Sequence, residues 1–451
     1  MPLGAADAPF KVGQPNRDAS NCPLTVFPSL RKCGILANMK RRDFISLAAS
    51  VAATVATGEG RAPAHPSAAV PPRNRRPYSD VDWSNVQEVH TTTHGHCENQ
   101  KMLDAYLDRG FEFLTISNYY PSAPTMPLKT FHDRHYYVHH DFPVMVKGKR
   151  TDGPFDWSKI VSAWKDELPP ELQKQLPFTE GELRFSRVPD NILEAPNAEH
   201  HAFFGDDGRI ISGLHMCAPG SAFCSGTFDK RNRFRSHGKG YCFGSGEHMH
   251  TAVSRMIDGM IYPDGGGVTV NHPAWSHLKD EIIWDLLDYD PRVLGIEVYN
   301  MCKPSKNYPW SRCNCEDYWD RALSTGRQCF GFFVPDWGLQ EGVNVLLVPE
   351  KSVHACLQAY RRGNWYGAIK GRKILRFTSI RFDGANLQVT LDKPAHLQVI
   401  TKRGVTAWSN ANKISFSVAA ADREKYGYLR VRAYARDDSG EIIFSQPMML
   451  T

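Results

Sequence analysis

The chain has 451 residues, 41% hydrophobic and 11% aromatic, which are globular values and leave room for one large domain and a smaller one. Its net charge of +6 gives no reason to invoke nucleic acid, because the first 64 residues hold eight Lys/Arg against four Asp/Glu and so carry most of the excess. Eleven cysteines, an odd number spread over a long chain, exclude a fully paired disulfide scaffold.

Residues 1–38 show no periodicity, and Met39 reads as a natural initiator. From there Met-Lys-Arg-Arg-Asp-Phe-Ile leads into a short Ala-rich apolar run, and Ala62-Pro63-Ala64 offers a small-residue cleavage site. Arg41-Arg42-x-Phe44 resembles a twin-arginine signal. The apolar run is too short for a stable bilayer anchor. Residues 1–77 are therefore expected to be leader, signal and linker. The expected partner is the twin-arginine export machinery, and the expected location is the periplasm.

Residues 86–96 read Val-Gln-Glu-Val-His-Thr-Thr-Thr-His-Gly-His. β-Branched residues favour a strand. Alternate side chains share a face, so His94 and His96 can point to one place. Met102, Leu103, Tyr106 and Leu107 predict a helix that Gly110 stops. Residues 111–117 read as a second strand. The long insert 118–190 carries His132, His135, His139 and His140, which suit a wet loop or a metal, and a polar helix-like piece near 161–175.

Residues 192–204 place Glu194, Glu199, His200 and His201 between apolar shoulders. A strand is expected over 209–216, ending near His215. The stretch 217–246 clusters Arg231, Arg233 and Arg235, either a grip for an anionic substrate or an exposed loop. Cys217 and Cys224 are either a bridge or free thiols, and Cys313-x-Cys315 lacks the second pair of a zinc ribbon.

An amphipathic helix is predicted over 247–260. Gly265-Gly266-Gly267 lacks nucleotide-binding spacing, and the strand after it delivers His272, with Pro273 stopping it. A helix at 279–288 precedes strand 293–298, which carries Glu297 and runs to Asn300. A helix at 316–325 precedes strand 329–334, closed by Pro335-Asp336. Polar residues at successive strand ends (His94, His96, Glu194, His272, Glu297, Asp336) suit a metal site at the mouth of an α/β barrel over 78–371. Short alternating strands from 372 to 451 read as a small β-sandwich of immunoglobulin-like size.

These motifs resemble the PHP (polymerase and histidinol phosphatase) superfamily, and most of all its exported branch related to carbaryl hydrolases. The resemblance runs over roughly residues 86–363. It rests on His94-Gly95-His96, Leu193-Glu194, His200 or His201, Asn271-His272-Pro273, residues 295–300 and Pro335-Asp336. It implies a distorted (β/α)7 barrel and one to three divalent ions of zinc, manganese or iron. The implied ligands are His94, His96, Glu194, His272 and Asp336, with His200 or His201 as a further one. The family's Thr-Asp-His appears here as Ser117-Asn118-Tyr119, and its terminal Asp-x-His as Asp336-Trp337-Gly338. In a second register, His90 opens the first motif and Thr92 replaces its second histidine.

The function expected from this is an exported metal-dependent hydrolase, a phosphoesterase that uses a metal-activated water on a small-molecule or glycan-linked substrate. Asp336 is the candidate proton acceptor and His215 the candidate leaving-group acid. Carbamate, ester or glycan-linked substrates on the same site are the alternative, as is a degenerate binding protein. No Gly-x-Ser-x-Gly elbow supports a serine hydrolase.

Overall fold

The computed structural model describes residues 72–118, 124–131, 139–140, 144–146, 149–151, 155–156, 183–223, 225, 245, 247–300, 310–336, 341–369 and 375–450. The signal, His132, His135, the run near 161–175, Cys224, Arg231, Arg233 and Arg235 lie outside the described residues. Among the described residues no helix is long and apolar enough to cross a membrane.

The chain is mixed α/β. Its strands begin with β1 (Gln87–Thr92), β2 (Phe113–Leu114) and four short ones, β3 (His139–His140), β4 (Val144–Val146), β5 (Lys149–Thr151) and β6 (Phe155–Asp156). Next come β7 (Leu193–Glu194), β8 (Glu199–His200), β9 (Met216–Cys217), β10 (Val268–Val270), β11 (Val293–Asn300) and β12 (Phe330–Val334). β13 (Val343–Val348) and β14 (Trp365–Ile369) precede β15 (Phe377–Phe382), β16 (Asn386–Leu391), β17 (His396–Thr401) and β18 (Gly404–Ser409). β19 (Lys413–Ser417), β20 (Tyr428–Tyr434), β21 (Ile442–Ser445) and β22 (Met448–Met449) complete the set.

A ten-stranded sheet runs β18-β17-β20-β21-β14-β13-β1-β2-β7, with β22 paired to β20. A five-stranded sheet runs β12-β11-β10-β9-β8, and β15-β16-β19 form a third. β1, β2 and β7 are parallel, as are β10, β11 and β12. The two larger sheets meet near the centre described below. Asp336, just past β12, donates from its N to His94 O at 3.2 Å, and Glu199 N donates to Ser117 O at 3.0 Å.

β13 shows why the apolar pattern builds two cores. All six of its residues are buried. Leu346 and Val348 face a core shared with Val270, Ile296 and Phe332, whereas Val343, Val345 and Leu347 face one shared with Leu387, Val389 and Val431. A strand covered on both faces is continuously apolar rather than alternating. β13, β14 and the helix Val353–Arg362 between them were not predicted, although Ser352 caps Ala355 N and Gly363 ends the helix at φ 75°.

The helices at 100–108, 249–258, 280–289 and 316–324 fall where apolar periodicity placed them. The strand expected over 209–216 is replaced by a turn and the short β9. Gly208 adopts φ 68° and Gly205 N donates to Arg209 O at 2.9 Å, so Asp207-Gly208 turns the chain instead. The expected boundary at 371–372 falls between β14 and β15, and the ten-stranded sheet includes strands from both sides of it. β18 and β22 were not predicted. Arg73, in the expected linker, is docked through its Nε on Val293 O at 2.7 Å.

Candidate metal centre

Past β1 the chain must aim two imidazoles at one point, and local hydrogen bonds fix that turn. Thr92 Oγ1 donates to His94 O at 2.8 Å and accepts from His94 N at 3.1 Å. Gly95 N donates to Ser117 Oγ at 3.0 Å, and Tyr106 OH donates to His96 O at 3.2 Å. A Cβ on Gly95 would lie 2.5 Å from Tyr106 OH, so glycine is the residue that fits between the histidines.

His94 Nε2 then lies 3.3 Å from His96 Nε2, 3.2 Å from Glu199 Oε2 and 3.4 Å from Asp336 Oδ1. His96 Nε2 is 3.0 Å from the same Glu199 oxygen and 3.4 Å from the same Asp336 oxygen. All four residues are buried. Donors on one cation with bonds of about 2.0–2.2 Å sit roughly 3.0–3.5 Å apart, so this set fits a single metal ion. Two imidazoles and two carboxylates suit zinc, manganese or iron.

Glu199 has a second oxygen, and it faces a second set. Oε1 lies 2.6 Å from His215 Nδ1 and 3.5 Å from His272 Nε2. His94, His272 and Asp336 also bring ligand atoms close together. The two oxygens of Glu199 thus serve histidines on two sides.

Behind the ligand atoms stands Glu297, fully buried. Its Oε1 is 2.8 Å from His94 Nδ1. Its Oε2 accepts from His272 N and from Asn300 Nδ2, both at 2.8 Å. Asn300 Nδ2 also donates to Asp336 Oδ2 at 3.0 Å. His272 has φ 30° and Asp336 φ 51°, left-handed for non-glycine residues. His272 also precedes Pro273, where that conformation is disfavoured. Strain of about 1–3 kcal/mol per residue persists only when the surroundings hold it, and it gathers at functional sites.

Burial opposes charge on His94, Glu199 and His272, yet their ion pairs and hydrogen bonds prevail. Asp336, Glu199 and Glu297 hold the His94 imidazole well above its usual range despite its burial. Burial likewise works against ionised Glu199, but His94 and His215 hold its carboxyl well below the ordinary range. His272 is raised against its burial, chiefly by its hydrogen bond to Glu199. A dense buried set of carboxylates and imidazoles of this kind is a cation-binding environment.

The structure brings together five of the predicted residues: His94, His96, His215, His272 and Asp336. It places Glu194 elsewhere, with its Oε2 accepting from Leu128 N at 3.1 Å. His200 turns away from Glu199 by strand alternation, stacks on Phe223 and meets Ser225 Oγ at 2.6 Å. Burial pushes its imidazole down to about 3. His201 lies at the rim, its ring 5.4 Å from that of His215. Sequence reasoning missed Glu199 as the central carboxylate, although the pattern of one carboxylate beside two histidines was visible. It counted Glu297 among the polar strand ends that suit a metal site but not among the implied ligands. Cys217 is a buried free thiol.

No family model matches the chain, and no curated protein matches it. Among solved structures, the chain is similar to a two-domain protein from Bacteroides vulgatus ATCC 8482 containing a predicted PHP-like metal-dependent phosphoesterase. The identity is 11%, over 81% of this chain and 94% of that one, with a TM-score of 0.33. A likeness this distant carries no argument about activity, and the centre stands on its own geometry.

Proposed function

We propose that the protein is a metal-dependent hydrolase whose centre would hold two divalent ions, with Glu199 shared between the two ligand sets. The observation that carries this is the split of one buried carboxylate, with Oε2 on His94 and His96 and Oε1 on His215 and His272. His94, His96, Glu199 and Asp336 would hold one ion. Glu199, His215 and His272 would hold the other. Divalent ions there supply a water of lowered pKa and a Lewis acid for a phosphoryl oxygen.

The protein's own groups do the rest. Asp336 Oδ1 faces the same point as His94 and His96, in position to take a proton from attacking water. His215 is 27% exposed and the other ligands are nearly covered, so substrate enters on its side. Its place beside Glu199 and His272 makes it a ligand in this reading rather than a leaving-group acid. Arg231, Arg233 and Arg235 would grip an anionic substrate. In family terms we read the chain as a PHP-type distorted (β/α)7 barrel followed by a small β-sandwich, exported to the periplasm through the twin-arginine route. The strand-end motifs and Arg41-Arg42-x-Phe44 support this.

The test is metal content of the purified full chain by mass spectrometry, beside Glu199→Gln, followed by hydrolysis of nitrophenyl phosphate mono- and diesters and of nitrophenyl acetate. Two equivalents of zinc, manganese or iron, lost in the variant, with phosphate ester turnover, support the reading. A chain that stays metal-free after each ion is supplied sinks it. Metal with turnover of the acetate ester alone moves the substrate class to carboxyl esters.

A further inference from the structure

We infer that Glu297 is a positioning residue that sets the tautomer of His94 and ties together ligands from three strand ends. The inference rests on the metal-centre reading above. A carboxylate oxygen accepts hydrogen bonds, so the 2.8 Å contact to Glu297 Oε1 puts the ring proton of His94 on Nδ1. In the neutral form that binds a cation, the lone pair of Nε2 then points at His96, Glu199 and Asp336. Without that contact either nitrogen can carry the proton, and half the choice is wrong for binding a cation.

The other oxygen acts on the rest of the centre. Oε2 accepts from the backbone N of His272, which pins the left-handed residue that delivers the His272 ring. It also accepts from Asn300 Nδ2, and the same amide donates to Asp336 Oδ2. One side chain on β11 therefore orients groups past β1, β10 and β12. Hydrogen-bonding partners behind metal ligands commonly change metal affinity by about 10–100-fold.

The substitution Glu297→Gln separates this role from simple packing, because glutamine has nearly the same shape but only one acceptor. If its oxygen faces His272 N and Asn300 Nδ2, its NH2 meets His94 Nδ1 and forces the proton onto Nε2. If it is flipped, NH2 meets two donors. Neither orientation keeps all three contacts.

The experiment measures zinc affinity of the full chain by competition with a chromophoric chelator, together with thermal unfolding of the metal-free chains. We expect Glu297→Gln to bind zinc at least tenfold more weakly, with metal-free unfolding within about 3 °C of the wild type. Equal zinc affinity in the two chains overturns the positioning role and leaves the centre intact. Wild-type protein that takes no zinc sinks the centre and this assignment with it. If the variant does not fold, long-range proton–nitrogen spectra of zinc-loaded wild type decide. A protonated Nδ1 on His94 supports the role, and zinc on Nδ1 overturns it.

Discussion

His215 Nδ1 and Glu199 Oε1 stand 2.6 Å apart, a half-buried imidazole against a buried carboxylate. In the two-ion proposal His215 is the exposed member of the second ligand set. Replacing His215 by Ala should lower the metal content from two equivalents to one and reduce kcat by at least 100-fold. Unfolding of the metal-free chain should shift little. Two equivalents retained in His215→Ala, measured by mass spectrometry, would contradict the assignment.

Glu194 gives a pH signature that is independent of the centre. Burial pushes its carboxyl up to about 7, against the opposing Leu128 N–H. A raised acid binds more protons folded than unfolded. Stability is therefore lost as pH rises from about 4.5 to about 7, and the full penalty applies above that. Glu194→Gln should stabilise the chain by roughly 2 kcal/mol at pH 8 and by much less at pH 5, read from urea unfolding at both. It should keep its metal. An equal effect at both pH values would show that the carboxyl titrates normally.

Gly295 sets the spacing between the strand that carries Glu297 and the strand that leads to Asp336. It pairs with Phe330, and a Cβ on it would fall 1.9 Å from Phe330 O. Backbone cannot yield there as a side chain can. Gly295→Ala is expected to destabilise by about 2–3 kcal/mol in denaturant unfolding and to weaken zinc binding as well.

Arg430 is 1% exposed, paired through Nε and Nη2 with Asp320 at 2.9 and 2.8 Å and through Nη1 with Glu316 at 3.0 Å. It lies over the Trp319 ring at 4.9 Å. Arg430→Ala leaves two carboxylates short of a buried cation and should cost about 3–5 kcal/mol by urea unfolding. A loss under 1 kcal/mol would show the network to be dispensable.

The legible part of the centre was local. His94 and His96 share parity at a strand end, and His272 and Asp336 sit beside Pro273 and Pro335, so each could be found from its own few residues. Glu199 could not. Whether Glu199 or His200 faces inward depends on the register with Met216 and Cys217 in β9, a contact the short polar stretch does not encode. Glu194 was the more conspicuous carboxylate because it follows an apolar pair, yet it is turned to Leu128. Glu297 lies in a strand buried on both faces, where alternation marks no preferred side. In the C-terminal strands, alternation did show which residues turn inward: Leu387, Val389 and Leu391 are buried. It held no clue that β21 would join β14.

That junction governs how the protein can be divided. β14 is hydrogen-bonded to β13 on one side and to β21 on the other, and β13 in turn pairs with β1, which leads to His94. A chain cut after residue 371 would bare the edge of residues 366–369, an open template for pairing with another molecule. Truncations and fusions intended to isolate the centre therefore have to carry residues 442–445 with them.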